Sequence, residues 1–321
     1  MRSQSLLKFA LLLAFITALA AGCGKNSNKL TDPMGGGSSS SSVEQAGVQD
    51  AMTSEPTLIE DGVYDDEDPA SLGSDGGAAL LHPLRYWRHI TSVQRTFDFA
   101  FSDTDSTGRP TRALVTIRKY MHGTFNILND DQPDSIPPDT ATTSIVRKRL
   151  GDLWERHVAL RRVLRSSTSD GPEWRIAGVS GVSVSSFHGT DMSPVFGDTR
   201  IRSVRIQSAS GDTMISDPLA IFTLRRLPAF QPGEDVTLTV RTLRNDDVVV
   251  LVRGGDRRRF HNNGDNTYTL FWHTSPEDGV HHIGVNALSH GTLFDDAAPY
   301  DSQAWLFPYV VFPTQIAELI P

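Results

Sequence analysis

Cysteine is almost missing from this chain: there is one, Cys23, in 321 residues. That excludes an intramolecular disulfide framework and any zinc site built from cysteines alone. Lysine is scarce too. Beyond Arg85 only Lys119 and Lys148 remain, and arginine carries the rest of the positive charge. Between Leu30 and Leu84 positive charge vanishes altogether, while eleven acids gather there. From Arg85 onward 27 acids face 26 bases, so the formal charge of −8 is owed mainly to that earlier stretch. A nearly neutral body lacks the basic footprint of a nucleic-acid binder, and no nucleic-acid partner is expected. P-loop, dinucleotide and His-Glu-x-x-His motifs are all missing, so no cofactor and no bound metal are expected.

What is present begins at the N-terminus. Arg2 and Lys8 precede an eleven-residue apolar run, Phe9–Leu19, then Ala20, Ala21 and Gly22. This basic, apolar, small-residue order is that of a secretory signal, over residues 1–22. The run is well short of the roughly 20 residues that span a bilayer. Leu19-Ala20-Ala21-Gly22-Cys23 resembles the lipobox of bacterial lipoproteins. The resemblance implies cleavage before Cys23, acylation of that cysteine, and an exported body anchored in a membrane. Gly24 in place of aspartate implies the outer membrane, facing either periplasm or exterior. Several acyl chains give stable anchoring where one is marginal.

Residues 23–79 read as a disordered, acidic Gly/Ser-rich tether, with Gly35–Ser42 as its most flexible part by composition. The fold class expected behind it is mainly β, in two blocks. The first, 80–216, reads as a β-rich domain, with α+β as the alternative. Leu84, Trp87, Ile90 and Val93 are spaced three apart and predict one helix. Phe97, Phe99 and Phe101, then Ala113, Val115 and Ile117, alternate as strands. Asp103–Pro110 predicts a turn between them, and Gly178 and Gly181 predict bulges in a Trp174–Val184 strand. One helix with a long curved antiparallel sheet resembles the cystatin-like or NTF2-like cone fold. The second block, 217–313, resembles an immunoglobulin-like β-sandwich. Val236, Leu238 and Val240 alternate, Val248–Val252 is a continuous apolar run, and His261–Asn266 signals a hairpin. Residues 314–321 form a tail.

Chemistry-bearing constellations are few. Ser180 lies in Gly-Val-Ser-Gly-Val, without the second glycine of a nucleophile elbow, and no catalytic residue is assigned. His273, His281, His282 and His290 cluster in sequence, but neighbours in a strand face opposite ways. Asp103, Asp105, Asp295 and Asp296 suit turns better than a calcium loop. Arg147, Lys148, Arg149, Arg156, Arg161, Arg162 and Arg165 place seven bases in nineteen residues. They form the candidate anion-binding group, for an acidic glycan, a lipid headgroup or the chain's own acidic tether. The expected role is non-catalytic, structural or interaction work at the envelope, with envelope proteins or glycans as partners. A ligand-binding or enzymatic pocket within 80–216 and a polysaccharide-binding module remain as alternatives.

Overall fold

The structure, a computed structural model, describes residues 40–60, 70–71, 81–131, 143–163, 173–253 and 256–312. The signal run, Cys23, Asp65–Asp68, Arg165 and the tail lie outside them.

Two short helices come first, α1 (Ser40–Thr53) and α2 (Pro56–Ile59). A two-residue strand β1 (Ala70–Ser71) precedes four long ones: β2 (Pro83–Thr104), β3 (Pro110–Asp130), β4 (Thr143–Arg162) and β5 (Trp174–Thr190). Shorter strands follow: β6 (Ser193–Phe196), β7 (Ile201–Ser208), β8 (Gly211–Ile215), β9 (Ile221–Thr223) and β10 (Ala229–Phe230). The last group is β11 (Asp235–Thr242), β12 (Val248–Arg253), β13 (Asp256–Arg259), β14 (His261–Asn262), β15 (Thr267–His273), β16 (Gly279–Leu288) and β17 (Ser302–Val311), with helix α3 (His290–Phe294) before β17.

The long strands form an antiparallel meander that continues directly into the C-terminal strands. The path runs β1-β2-β3-β4-β5-β17-β16-β12-β13, and its first and last strands touch. A second sheet, β14-β15-β11-β7-β8, packs across β12, β16 and β17 to make a β-sandwich. Its core alternates as the sequence does: Val236, Leu238 and Val240 face Val249, Leu251, Ile283 and Val285, and Phe230, Trp272 and Tyr309 meet edge to face at 5.3–6.3 Å. The apolar run in β12 is explained by burial on both sides. Val249 and Leu251 enter the sandwich, while Val248 and Val250 join a cluster on the opposite face.

The mainly β reading with one N-terminal helix holds, but the helix lies elsewhere. Leu84–Val93 is part of β2. A bulge between Ile90 and Ser92 puts Ile90 opposite Gly123 and Val93 opposite Met121, so a spacing of three arises inside a strand. The helix is α1, inside the stretch read as tether. Glu44, Val48, Ala51 and Met52 recur on one face and are buried, with Leu58 and Ile59 of α2. They cover one face of the meander, its inner face, over Val115, Ile117, Trp154, Val158, Trp174 and Val182. A methyl at Gly47 would stand 3.1 Å from the Trp174 ring, so the glycine lets the helix settle closely on that indole.

The β7–β8 hairpin, placed by sequence before the 216/217 boundary, pairs with β11 beyond it and supplies Ile201, Val204, Ile206 and Ile215 to the sandwich core. Irregular pairing of β4 with β5 falls beside Gly178 and Gly181, where a Cβ would lie 2.6 Å from the Phe222 carbonyl oxygen and 2.7 Å from that of Leu306.

Replacing Trp272 by Ala is expected to lower stability by about 3–5 kcal/mol, and by Phe by less than half as much. Urea unfolding reads both; a loss below about 1 kcal/mol for the alanine variant contradicts this packing.

Candidate functional site

Strand alternation sorts the six described bases of the group onto two faces. Arg147, Arg149 and Arg161 are exposed on the outer face, and Lys148, Arg156 and Arg162 are buried on the inner one. The group is therefore not one patch, because the pleat separates neighbours in sequence. A buried cation needs a partner, and each inner base has one. Lys148 Nζ donates to the carbonyls of Gly291 (3.1 Å) and Ala298 (2.7 Å) and to that of Asp295, closing the end of α3. Burial pushes its pKa down, against the charges of Asp295 and Asp296. Arg156 Nη1 donates to the carbonyls of Leu58 (2.9 Å) and Ile59 (2.6 Å), the end of α2. Arg162 pairs with Glu44 of α1, which also accepts from the Trp174 indole N–H at 3.1 Å and from Arg109 at 3.4 Å.

A second latch sits farther along. Glu60 accepts from Lys119 at 3.0 Å and pairs with Arg95 at 2.8 Å, and Lys119 lies 4.4 Å above the Trp154 ring. Both lysines of the body are thus buried at specific acceptors. Burial pushes the Glu44 carboxyl up, but hydrogen bonds from Arg162 and Trp174 and the charges of Arg162 and Arg109 outweigh it and hold it below the ordinary range. Glu60 behaves alike: burial raises it, and Lys119 then Arg95 bring it below its usual value. The arrangement can bind an acidic, amphipathic segment, and the segment it holds is the chain's own.

Farther down the inner face is a buried polar network. Tyr300 Oη donates to Asp152 at 3.1 Å and accepts from Arg88 at 3.3 Å. With the Asn286 amide turned to satisfy both its ends, its oxygen accepts from Arg88 at 2.8 Å and its nitrogen donates to Ser302 at 2.7 Å. Phe125 and Tyr300, their rings 4.9 Å apart, both lie about 6 Å from the guanidinium carbon. Tyrosine, carboxylate and guanidinium are an acid–base set in kind, yet Arg88 is 4%, Tyr300 1% and Asp152 0% exposed, so no solute touches them here. The network ties β2, β4, β16 and the approach to β17 together.

The other candidates are used locally. Ser180 Oγ accepts from the His157 amide at 2.8 Å and donates to the Gly181 carbonyl. Asp105 accepts from the Thr107 and Arg109 amides, making the expected turn. Asp295 likewise accepts from the Ala297 amide in a turn. His273 pairs with Asp235, His281 stacks on Tyr309 and His290 on Phe294, so the four histidines are not brought together, and no group of metal ligands forms among the described residues. Trp154, Trp174, Trp272 and Trp305 are buried and Trp87 is half-buried, so no tryptophan among the described residues is fully exposed. Sequence reasoning missed Glu44 and Glu60; the signal was Glu44, Val48, Ala51 and Met52 at helical spacing. No protein-family model matches the chain, and no curated protein or solved structure matches it either.

The pH response has two signs. Glu44 and Glu60 sit below their unfolded values, so their stabilisation is full above about pH 4.5 and lost as pH falls through the lowered values. Asp247, at one end of the sandwich, is pushed by burial up to about 6, with Asp246 and Asp301 adding to the rise. Its native form gains as pH falls through that value. On acidification, the amides of Val48–Met52 are expected to lose protection, measured against the intrinsic exchange rate at each pH, while those of β11 do not. Equal loosening of both contradicts the assignment.

Proposed function

We propose that the chain is an exported, lipid-anchored envelope protein whose body does non-catalytic structural or interaction work close to the membrane. The observation that carries this reading is the docking of α1–α2 onto the meander through Glu44, Glu60 and the Leu58 and Ile59 carbonyls. It shortens the stretch between the lipobox cysteine and the folded body. From residue 24 to the start of α1 at Ser40 there are about 16 residues, which reach about 55 Å at most. A tether of the length read from composition would reach several times farther. Burial of the Arg88–Asp152–Tyr300 set supports a bracing rather than a catalytic role for the one acid–base constellation described.

The C-terminal strands support an immunoglobulin-like reading in their order: β11 beside β15 in one sheet, β12-β16-β17 in the other, and β10 parallel on β17. The curved meander with α1 in its hollow supports the cone-fold likeness. Fold likeness alone assigns no activity.

Mass analysis of the mature N-terminus tests the anchor. The expected species begins at Cys23 and carries acyl chains, and Cys23→Ser is expected to abolish that species and remove the body from the membrane fraction. An unmodified Cys23, or a wild-type chain cut elsewhere, overturns the reading.

A further inference from the structure

Three arginines stand side by side on the outer face. The register sets Arg112 of β3 opposite Arg161 of β4, and Arg161 opposite Arg175 of β5. Side chains directly opposite on neighbouring strands have Cβ atoms about 5 Å apart, and like charges there repel. All three are exposed. Arg112 pairs with Asp103 at 3.1 Å, both more than half exposed, while Asp105 is occupied by its own turn. Among the described residues no carboxylate pairs with Arg161 or Arg175. Arg225 and Arg226 add exposed charge on the single helical turn that packs against β5. Midway along the same face Arg118 has both Asp98 and Glu155. Arg147 and Arg149 are exposed toward the other end of β4, but there they stand opposite Asn126 and Thr124, so it is the stack of three facing arginines that marks this end.

That end is also where the chain arrives from Cys23. Arg162 and Trp174, each one residue from the ladder on the opposite face, are the groups that hold Glu44 in the early turns of α1. Arg109, in the β2–β3 turn, holds Glu44 and Glu173 there too. About 16 residues separate Cys23 from Ser40, so an acylated Cys23 keeps this end, and not the far one, within the shortest reach of the bilayer surface.

We propose that Arg112, Arg161 and Arg175 form a docking surface for the phosphate headgroups of the anchoring membrane, a partner assignment that rests on the lipid-anchor reading. Guanidinium forks match phosphate oxygens bidentately, and a basic patch beside acyl chains supplies the second of two membrane signals. Docking relieves the repulsion along the ladder.

The test uses the full lipidated chain in vesicles of phosphatidylcholine alone or mixed with phosphatidylglycerol. Modification by phenylglyoxal is followed residue by residue by mass spectrometry. In anionic vesicles Arg112, Arg161 and Arg175 are expected to react about fivefold more slowly than in neutral ones, an effect lost at high salt, while exposed Arg241 is unchanged. The R112S/R161S/R175S chain, with native hydrogen exchange in β11, is expected to retain its anchor but show no difference in hydrogen exchange of β3–β5 between the two vesicles. Equal reactivity of the three arginines in both vesicles overturns the docking surface. Protection by inorganic phosphate alone in neutral vesicles overturns the headgroup as ligand. An acylated Cys23 with no protection sinks this proposal only. An unmodified Cys23, with protection persisting when the chain is added to anionic vesicles, sinks the anchor only.

Discussion

A cation on the buried face of β4 must find an acceptor, and the N-terminal part of the body is organised by that requirement. Lys148, Arg156 and Arg162 share one side of a single strand with Asp152. Removing one partner from a buried pair costs several kcal/mol, since the remaining charge has no water to turn to. The chain supplies acceptors from three places: carbonyls at the end of α3, carbonyls at the end of α2, and Glu44 on α1. Two of the three lie in one short N-terminal segment. That segment contains glycine and several serines, is weakly apolar and is too short to persist alone as helix. Its order comes from the sheet beneath it.

The same pleat that buries alternate residues exposes the others. Arg161 is one residue from Arg162, and Arg175 one from Trp174, so the clamp on α1 and the outer arginine ladder are two sides of the same strand ends. Inside, each cation has an acceptor; outside, Arg161 and Arg175 have no carboxylate partner among the described residues. Because the meander runs without a break through β5 and β17 into the sandwich, whatever fixes the meander's orientation fixes the sandwich surface as well.

Much of the β structure was legible because burial follows a period of two. Phe97, Phe99 and Phe101, the Ala113–Ile117 alternation and the Val248–Val252 run all became strands, and the Asp103–Pro110 and His261–Asn266 turns formed at Asp105 and Gly264. Three things were hidden. A bulge at Ile90/Ser92 put Ile90 and Val93, three apart, on one face of β2 as a helix would. Serine, glycine and alanine concealed α1, whose anchoring residue is a glutamate rather than a leucine. Long-range pairing of β7 with β11 leaves no local trace, so a hairpin of the sandwich read as part of the first block. For the site, the seven-base group was visible in number but not in direction, and the side each residue takes decides between brace and docking surface.

The central claim is that Glu44 and Arg162 hold the N-terminal segment as a pair, each stabilising more in the presence of the other. A double-mutant cycle with Glu44→Gln and Arg162→Met, read by equilibrium urea unfolding, tests it most directly. The account expects a coupling energy of about 2 kcal/mol, with the double variant more stable than the two single losses added together. A coupling near zero, with the single effects simply additive, contradicts it.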